Sequence, residues 1–387
     1  MGVVFFCVVM AVFILICIPL QNRSPIPGLV ITELILLAMS VLYCLIRGVR
    51  IREVFPIKKI TLKDFFGCVI LLIGIYLFSI LSVSVMQIVV PSSLSEAAEL
   101  SDILYGSMNY ITTIIVVALL PAVCEESVYR GAILSSFRGL KNEWVAITLV
   151  GLFFSINHLS ILRGPFTMIF GMALAYVVVK KNNILLSAMM HFMVNSFSAT
   201  LGYIMSRIPG YMDAALESAE SSRPGIGSLG IILILTCAAP VLIITGAMLI
   251  DPKSHKAKRY LWAGILSGIL FVSGFAFMII GLNNNTVMSQ SAQYQIESEG
   301  QEKSFGFSIE EEKDYTVSVT MSGTSGDYHI IVYNTEDDSV ACEGDMSEGA
   351  IRIYSSTVTL DEGDYAVTIQ SGSGSEGENV TAAIRVQ

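Results

Sequence analysis

Charge is scarce in this sequence. Asp, Glu, Lys and Arg together make up 14% of it against 53% hydrophobic residues. With a mean hydropathy of +0.69, that excludes an ordinary soluble globular chain. Histidine is rarer still, four in 387 residues. The seven cysteines form no CxxC pair: Cys7, Cys17, Cys44, Cys68, Cys124 and Cys237 stand in apolar runs, and Cys342 stands alone in an acidic stretch. That pattern excludes a disulfide framework or a thiolate metal site and suits small buried hydrophobes. HExxH is absent, as are a glycine-rich phosphate loop, a basic nucleic-acid patch and a nucleophile-elbow context around Ser127. Zincin chemistry, nucleotide chemistry, a nucleic-acid partner and serine hydrolysis lose their usual signatures together.

Long hydrophobic runs, by contrast, are abundant. Residues 2–20 are apolar throughout. They lack the basic start and small-residue cleavage site of a signal peptide, and they are long enough to cross a hydrocarbon core of about 30 Å. Further runs at 29–46, 65–90, 111–130, 144–159, 165–179, 184–205, 229–250 and 260–282 bring the expected number of spans to nine. Lys and Arg separate by alternate loops. Fourteen fall on one side (Arg47, Arg50, Arg52, Lys58, Lys59, Lys63, Arg138, Lys141, Lys180, Lys181, Lys253, Lys256, Lys258 and Arg259), and only Arg23, Arg163, Arg207 and Arg223 on the other. Because cytoplasmic loops carry the excess of Lys and Arg, the protein is expected in the cell membrane as a multi-pass chain with a cytoplasmic amino terminus. The outer connections 91–110 and 207–228 are long enough to lie over the membrane surface, and solvated connectors are the simpler reading of both.

Composition changes after Leu282. From Asn283 onward there are 19 acidic and 4 basic residues, a balance of −15, whereas the preceding part carries 19 basic and 13 acidic residues, +6. Runs at 315–319, 328–333, 351–359 and 365–369 alternate apolar and polar residues between Gly-rich breaks, the pattern of a small antiparallel sandwich. The turn Leu360 to Tyr365 resembles those of jelly-roll modules appended to secreted peptidases. The fold expected is therefore a polytopic α-helical membrane domain (1–282, catalytic core about 111–205), a flexible linker (283–300) and an extracytoplasmic all-β sandwich (301–387). The sandwich offers no chemistry around His329 or Cys342, and it suits an extracellular partner better than a catalytic role.

The chemistry is concentrated in the apolar part. Cys124-Glu125-Glu126-Ser127-Val128-Tyr129-Arg130 sets two carboxylates and a guanidinium in a spanning helix, where each charge costs a few kcal/mol and marks function or pairing. Glu126 and Arg130 are four apart and meet on one helix face, while Glu125 is turned away and left free. Pro121, four residues before Glu125, removes a backbone hydrogen bond and favours a kink there. His158 and His191, half of the histidines, also lie in spanning runs, with Phe154 and Asn195 as their i, i+4 neighbours.

EExxxR at Glu125, Glu126 and Arg130, FxxxH at Phe154 and His158, and HxxxN at His191 and Asn195, in that order on separate spans, resemble the CAAX protease and bacteriocin-processing family of intramembrane glutamate endopeptidases. The resemblance covers about 111–205 and not the β-domain. It implies that Glu125 activates a water with the help of His158, that His191 and Asn195 form the oxyanion site, and that Glu126, Arg130 and Phe154 support them. The substrate would be a membrane-associated or lipidated peptide or a membrane-protein tail, with membrane lipid as surroundings and no cofactor. A zinc reading would instead take Glu125, His158 and His191 as ligands. The resemblance also leaves open a non-catalytic membrane partner, such as a bacteriocin-immunity or transport-associated scaffold.

Overall fold

The computed structural model describes residues 1–89, 105, 107–208, 225–254, 257–284, 287–322, 326–346 and 351–387. Most of the two long outer connections therefore lies outside the described residues. The chain divides into two compact units, Met1–Met278 and Ile279–Gln387.

The first unit is helical: α1 (Gly2–Arg23), α2 (Pro25–Arg47), α3 (Leu62–Val89), α4 (Tyr110–Ser136), α5 (Glu143–Asn157), α6 (Gly164–Lys181), α7 (Ile184–Met205), α8 (Ile226–Ile250) and α9 (Ala257–Asn284). Eight of these are long and apolar enough to cross a membrane. The ninth expected span corresponds to α5, which has only 15 residues, about 22 Å at 1.5 Å per residue. Its amino end is set by Asn142, whose side chain accepts from Trp144 N, and its carboxyl end by the turn at His158. Asn109 and Asn183 cap α4 and α7 in the same way, accepting from Thr112 N and Leu185 N, so each of these helices starts where an Asn oxygen satisfies an otherwise orphaned N–H.

Helix α4 lies at the centre of the unit. Every residue from Ser127 to Leu134 is buried, against α2, α5, α6 and α7. Glycines bring α5 and α6 close: a Cβ on Gly171 would sit 3.0 Å from Gly151 Cα, and one on Gly151 would sit 2.9 Å from the Met168 carbonyl. At one end of the helices Lys180 pairs with Glu143 and, at 3.3 Å, with Asp251, while Lys181 pairs with Asp64 at 2.6 Å. These pairs tie the end of α6 to α5, α8 and α3.

The second unit is all β. Eight strands, β1 (Met288–Gln295), β2 (Glu302–Ile309), β3 (Lys313–Ser322), β4 (Tyr328–Asn334), β5 (Val340–Asp345), β6 (Ile351–Leu360), β7 (Gly363–Ser371) and β8 (Asn379–Val386), form two antiparallel sheets ordered β1-β8-β3-β6 and β2-β7-β4-β5. That is the double-sheet jelly-roll arrangement. Inward residues of both sheets, among them Phe307, Tyr315, Val319, Ile330, Val367 and Ile384, make one apolar core. The turn after Leu360 carries the chain from one sheet to the other. The expected linker 283–300 needs correction, because it contains β1, paired with β8 along its whole length. Its sequence, MSQSAQYQ, is polar and small, so its alternation (Ala292 and Tyr294 packed on the core) is faint in hydropathy.

Candidate functional site

Within α4, the α-helical segment Leu120–Glu126 is flanked by two π-helical stretches, Ile114–Leu119 and Ser127–Ile133. Such widened turns recur at functional positions because they re-aim side chains that a regular helix would stack. Pro121 adds to the irregularity. It has no N–H for the carbonyl four residues back, Val117, and Asn195 Nδ2 from α7 donates to that oxygen at 3.3 Å. The carbonyl left free by Pro121 and the HxxxN asparagine are thus one structural feature. The amide retains a second N–H beyond the one used on Val117.

The two adjacent glutamates have different surroundings. Glu126 is 1% exposed, and its Oε1 accepts from Arg130 Nη1 at 2.8 Å and from His191 Nδ1 at 2.9 Å. Arg130, wholly buried, spends Nη2 on the Gly171 carbonyl at 3.1 Å, and its guanidinium lies over the Phe154 ring at 4.4 Å. Glu126 is therefore absorbed into a bonded pair that a buried charge requires. Both glutamates leave a buried Oε2 without a hydrogen-bond partner, but Glu125 lacks the cation that Glu126 has: its Oε2 lies 3.9 Å from His191 Nε2, too far for a hydrogen bond. His191 stands between the two carboxylates, held through Nδ1 by one and presenting Nε2 to the other.

His158 occupies the turn that ends α5. Its Nδ1 lies 2.8 Å from the Phe154 carbonyl. Since a carbonyl only accepts, Nδ1 carries the proton, and in the neutral ring Nε2 keeps the lone pair. His158 interacts electrostatically with Glu125 and with His191. Phe154 separates the two imidazoles, with centroids 4.7 Å from His158 and 5.7 Å from His191, and Phe170 closes the other side of His191 at 5.7 Å. An aromatic wall of this kind fixes ring orientation without competing for protons.

The structure thus brings Glu125, Glu126, Arg130, Phe154, His158, His191 and Asn195 into one cluster on α4, α5 and α7. Of the zinc set, only Glu125 and His191 approach each other, and among the described residues no three His, Cys, Asp or Glu side chains are gathered as a metal would need. Residues that sequence reasoning missed also enter. Phe170 and the Gly171 carbonyl carry no motif signal, whereas buried Glu33 on α2, 3% exposed, could have been found as an acidic residue inside an apolar run.

Residues 107–197 match the family described as Type II CAAX prenyl endopeptidase Rce1-like, the family that the three motifs resemble. The match spans all seven residues of the cluster and includes neither Glu33 nor the β unit. No curated protein matches the chain.

Proposed function

We propose that the protein is an intramembrane endopeptidase that hydrolyses peptide bonds in membrane-associated or lipidated peptides. The observation that carries this reading is the division of labour between neighbouring carboxylates: Glu126 is held through Oε1 by both Arg130 and His191 Nδ1, its Oε2 being unbonded, while Glu125 is ion-paired to no Arg or Lys among the described residues and its Oε2 faces His191 Nε2. A carboxylate of that kind is a general base in search of a proton. Glu125 removes a proton from water, with His158 Nε2 accepting the water's other hydrogen bond, and the oxygen attacks the peptide carbonyl carbon. The remaining N–H of Asn195 stabilises the oxyanion, joined by His191 in the form that carries a hydrogen on Nε2 as well as the one Nδ1 gives to Glu126. Glu125 then passes its proton to the departing amine as the C–N bond breaks.

The fourteen-to-four distribution of Lys and Arg supports a cytoplasmic amino terminus only if α5 also crosses. Were α5 to return to its own side, Arg138 and Lys141 would share a face with Arg163 and oppose Lys180 and Lys181. Helices α5 and α6 are joined by only a short turn and pack on each other, so they cross the same thickness, and the bilayer thins slightly around the shorter one. Nine crossings put the β unit outside the cell.

The test is cleavage of a membrane peptide by Glu125→Gln and Glu126→Gln proteins, together with membrane-peptide profiles of cells carrying each. Loss in the first and a lesser defect in the second is expected. Intact processing by Glu125→Gln would exclude catalysis and leave the scaffold role.

A further inference from the structure

One buried carboxyl lies outside the machinery just described. Glu33 sits on α2, on the face that also buries Gly28, Thr32, Leu36 and Ser40, and that helix packs directly on the Leu120–Glu126 and Ser127–Ile133 segments of α4. Its side chain is 97% removed from solvent, being 3% exposed, and its Oε2 has no hydrogen-bond partner. The titratable groups that interact with it from the elements packed on α2 are Cys17 on α1 and Cys124, Glu125 and Tyr129 on α4. None of the four is a cation. Three buried oxygens without partners, Glu33 Oε2, Glu125 Oε2 and the Tyr129 hydroxyl, therefore belong to one neighbourhood.

Charge bookkeeping then decides the protonation. Arg130 is already matched by Glu126, so among the described residues no Arg or Lys is paired with Glu33 or Glu125 to balance two more anions. Two carboxyls buried without cations on helices packed against each other are not both charged in so poorly hydrated a place. Glu125 has some solvent contact, with its side chain 14% exposed, and has an imidazole beside it. Glu33 has neither advantage. The proton belongs on Glu33.

We propose that Glu33 is a positioning residue for Glu125: it keeps a proton in the buried carboxyl pair and so leaves Glu125 as the single anion that can take a proton from water. This rests on the endopeptidase reading for its catalytic meaning, although the shared proton is a property of the resting protein. The proton on Glu33 is not consumed. Water supplies the proton that Glu125 takes and then passes to the amine, and Glu33 ends the cycle as it began. Above the pH at which Glu33 ionises, a second negative charge arrives beside Glu125 and the site is driven out of register.

Two measurements on the full-length protein in membranes test this. The first is infrared spectroscopy of the carboxylic-acid carbonyl stretch, which needs no activity. A band from a protonated buried carboxyl is expected at neutral pH, absent in Glu33→Gln. In Glu125→Gln, where Glu33 is intact but its anionic neighbour is gone, the band is expected to persist and to disappear at a shifted pH. A neutral-pH spectrum in which Glu33→Gln removes no band overturns the proposal, as does a Glu125→Gln band that titrates where the wild-type band does. The second is the pH profile of kcat/KM. Glu33→Gln is expected to keep measurable cleavage while its alkaline limb moves by about one pH unit or more, the scale of coupling between interacting carboxyls, and Glu33→Asp is expected to restore the wild-type limb. Superimposable profiles overturn the proposal. If the protein cleaves no peptide, the endopeptidase reading fails on the second measurement while the first still decides where the proton resides.

Discussion

The two units bury very different things. In Ile279–Gln387 the interior is mainly apolar, with valine, isoleucine and aromatic side chains from two sheets facing each other and Arg352 as the one charged residue buried among those described. In Met1–Met278 the interior contains Glu33, Glu126, Arg130, Asn157 and His191, and several of their polar atoms have no hydrogen-bond partner. Burying charge is costly anywhere and buys nothing for packing, so the β unit is organised mainly for folding, and the helical unit carries in its interior a candidate site that folding has to accommodate.

That contrast can be broken from several directions. The largest effect is expected at Glu125: replacing it by Gln should lower peptide cleavage by about 10²-fold to 10⁴-fold, the usual contribution of a general base, with thermal stability in detergent unchanged or raised because a buried like charge is removed. Arg130→Ala comes next. It strands Glu126 beside His191 and should cost about 3–5 kcal/mol of stability, read as a fall in the midpoint of unfolding in detergent, with cleavage lost alongside. Gly171→Ala should be milder, about 1–3 kcal/mol, because the added methyl meets Gly151 Cα at 3.0 Å and Phe154 at 3.1 Å and pushes α6 and its Arg130-bonded carbonyl outward.

In the β unit the expected sensitivity is to alkali. Burial, followed by the hydrogen bond and charge of Glu378, raises the Tyr328 phenol above its ordinary value, and burial alone pushes Tyr294 up to about 12. The folded state thus holds these protons more tightly than the unfolded chain. The stability they contribute is fully present below about pH 10, the ordinary tyrosine value, and is lost as pH climbs from there through the folded values. Unfolding followed by tyrosinate absorbance should begin above pH 10, and Tyr328→Phe should weaken the dependence. The smallest effect is reserved for truncation after Leu282. All residues of the candidate site lie in Met1–Met278, so cleavage of a short synthetic peptide should survive, and its loss in a well-folded truncated protein would make the β unit part of the active assembly.

The fold class and the grouping of the motif residues were legible in the sequence, and the strand order of the β unit was not. The spacing of Glu126 and Arg130 predicted their pairing and the freedom of Glu125, because one helix repeat governs both and no distant residue is needed to decide it. Runs of apolar residues marked the spanning helices for the same local reason. Four β-strands, β3, β4, β6 and β7, were visible as alternation. The others were not: β8 alternates Val380, Ala382, Ile384 and Val386, but Thr381 and Ala383 between them blur the contrast, and β1 is nearly all polar.

What the linear chain determined by itself was therefore whatever depends on neighbours a few residues apart: the apolar helices and where they lie, the change to an acidic β unit and the pairing within EExxxR. Only the tertiary structure decided what depends on separated elements. It set the jelly-roll order, in which β1 pairs with β8 across nearly the whole unit, and it placed His191 between two glutamates of another helix. It also turned Asn195 onto the carbonyl that Pro121 cannot bond and packed the helix that carries Glu33 against the segment that carries Glu125. Local periodicity states which face a side chain occupies, whereas the partner met on that face is chosen by the packing of the whole unit.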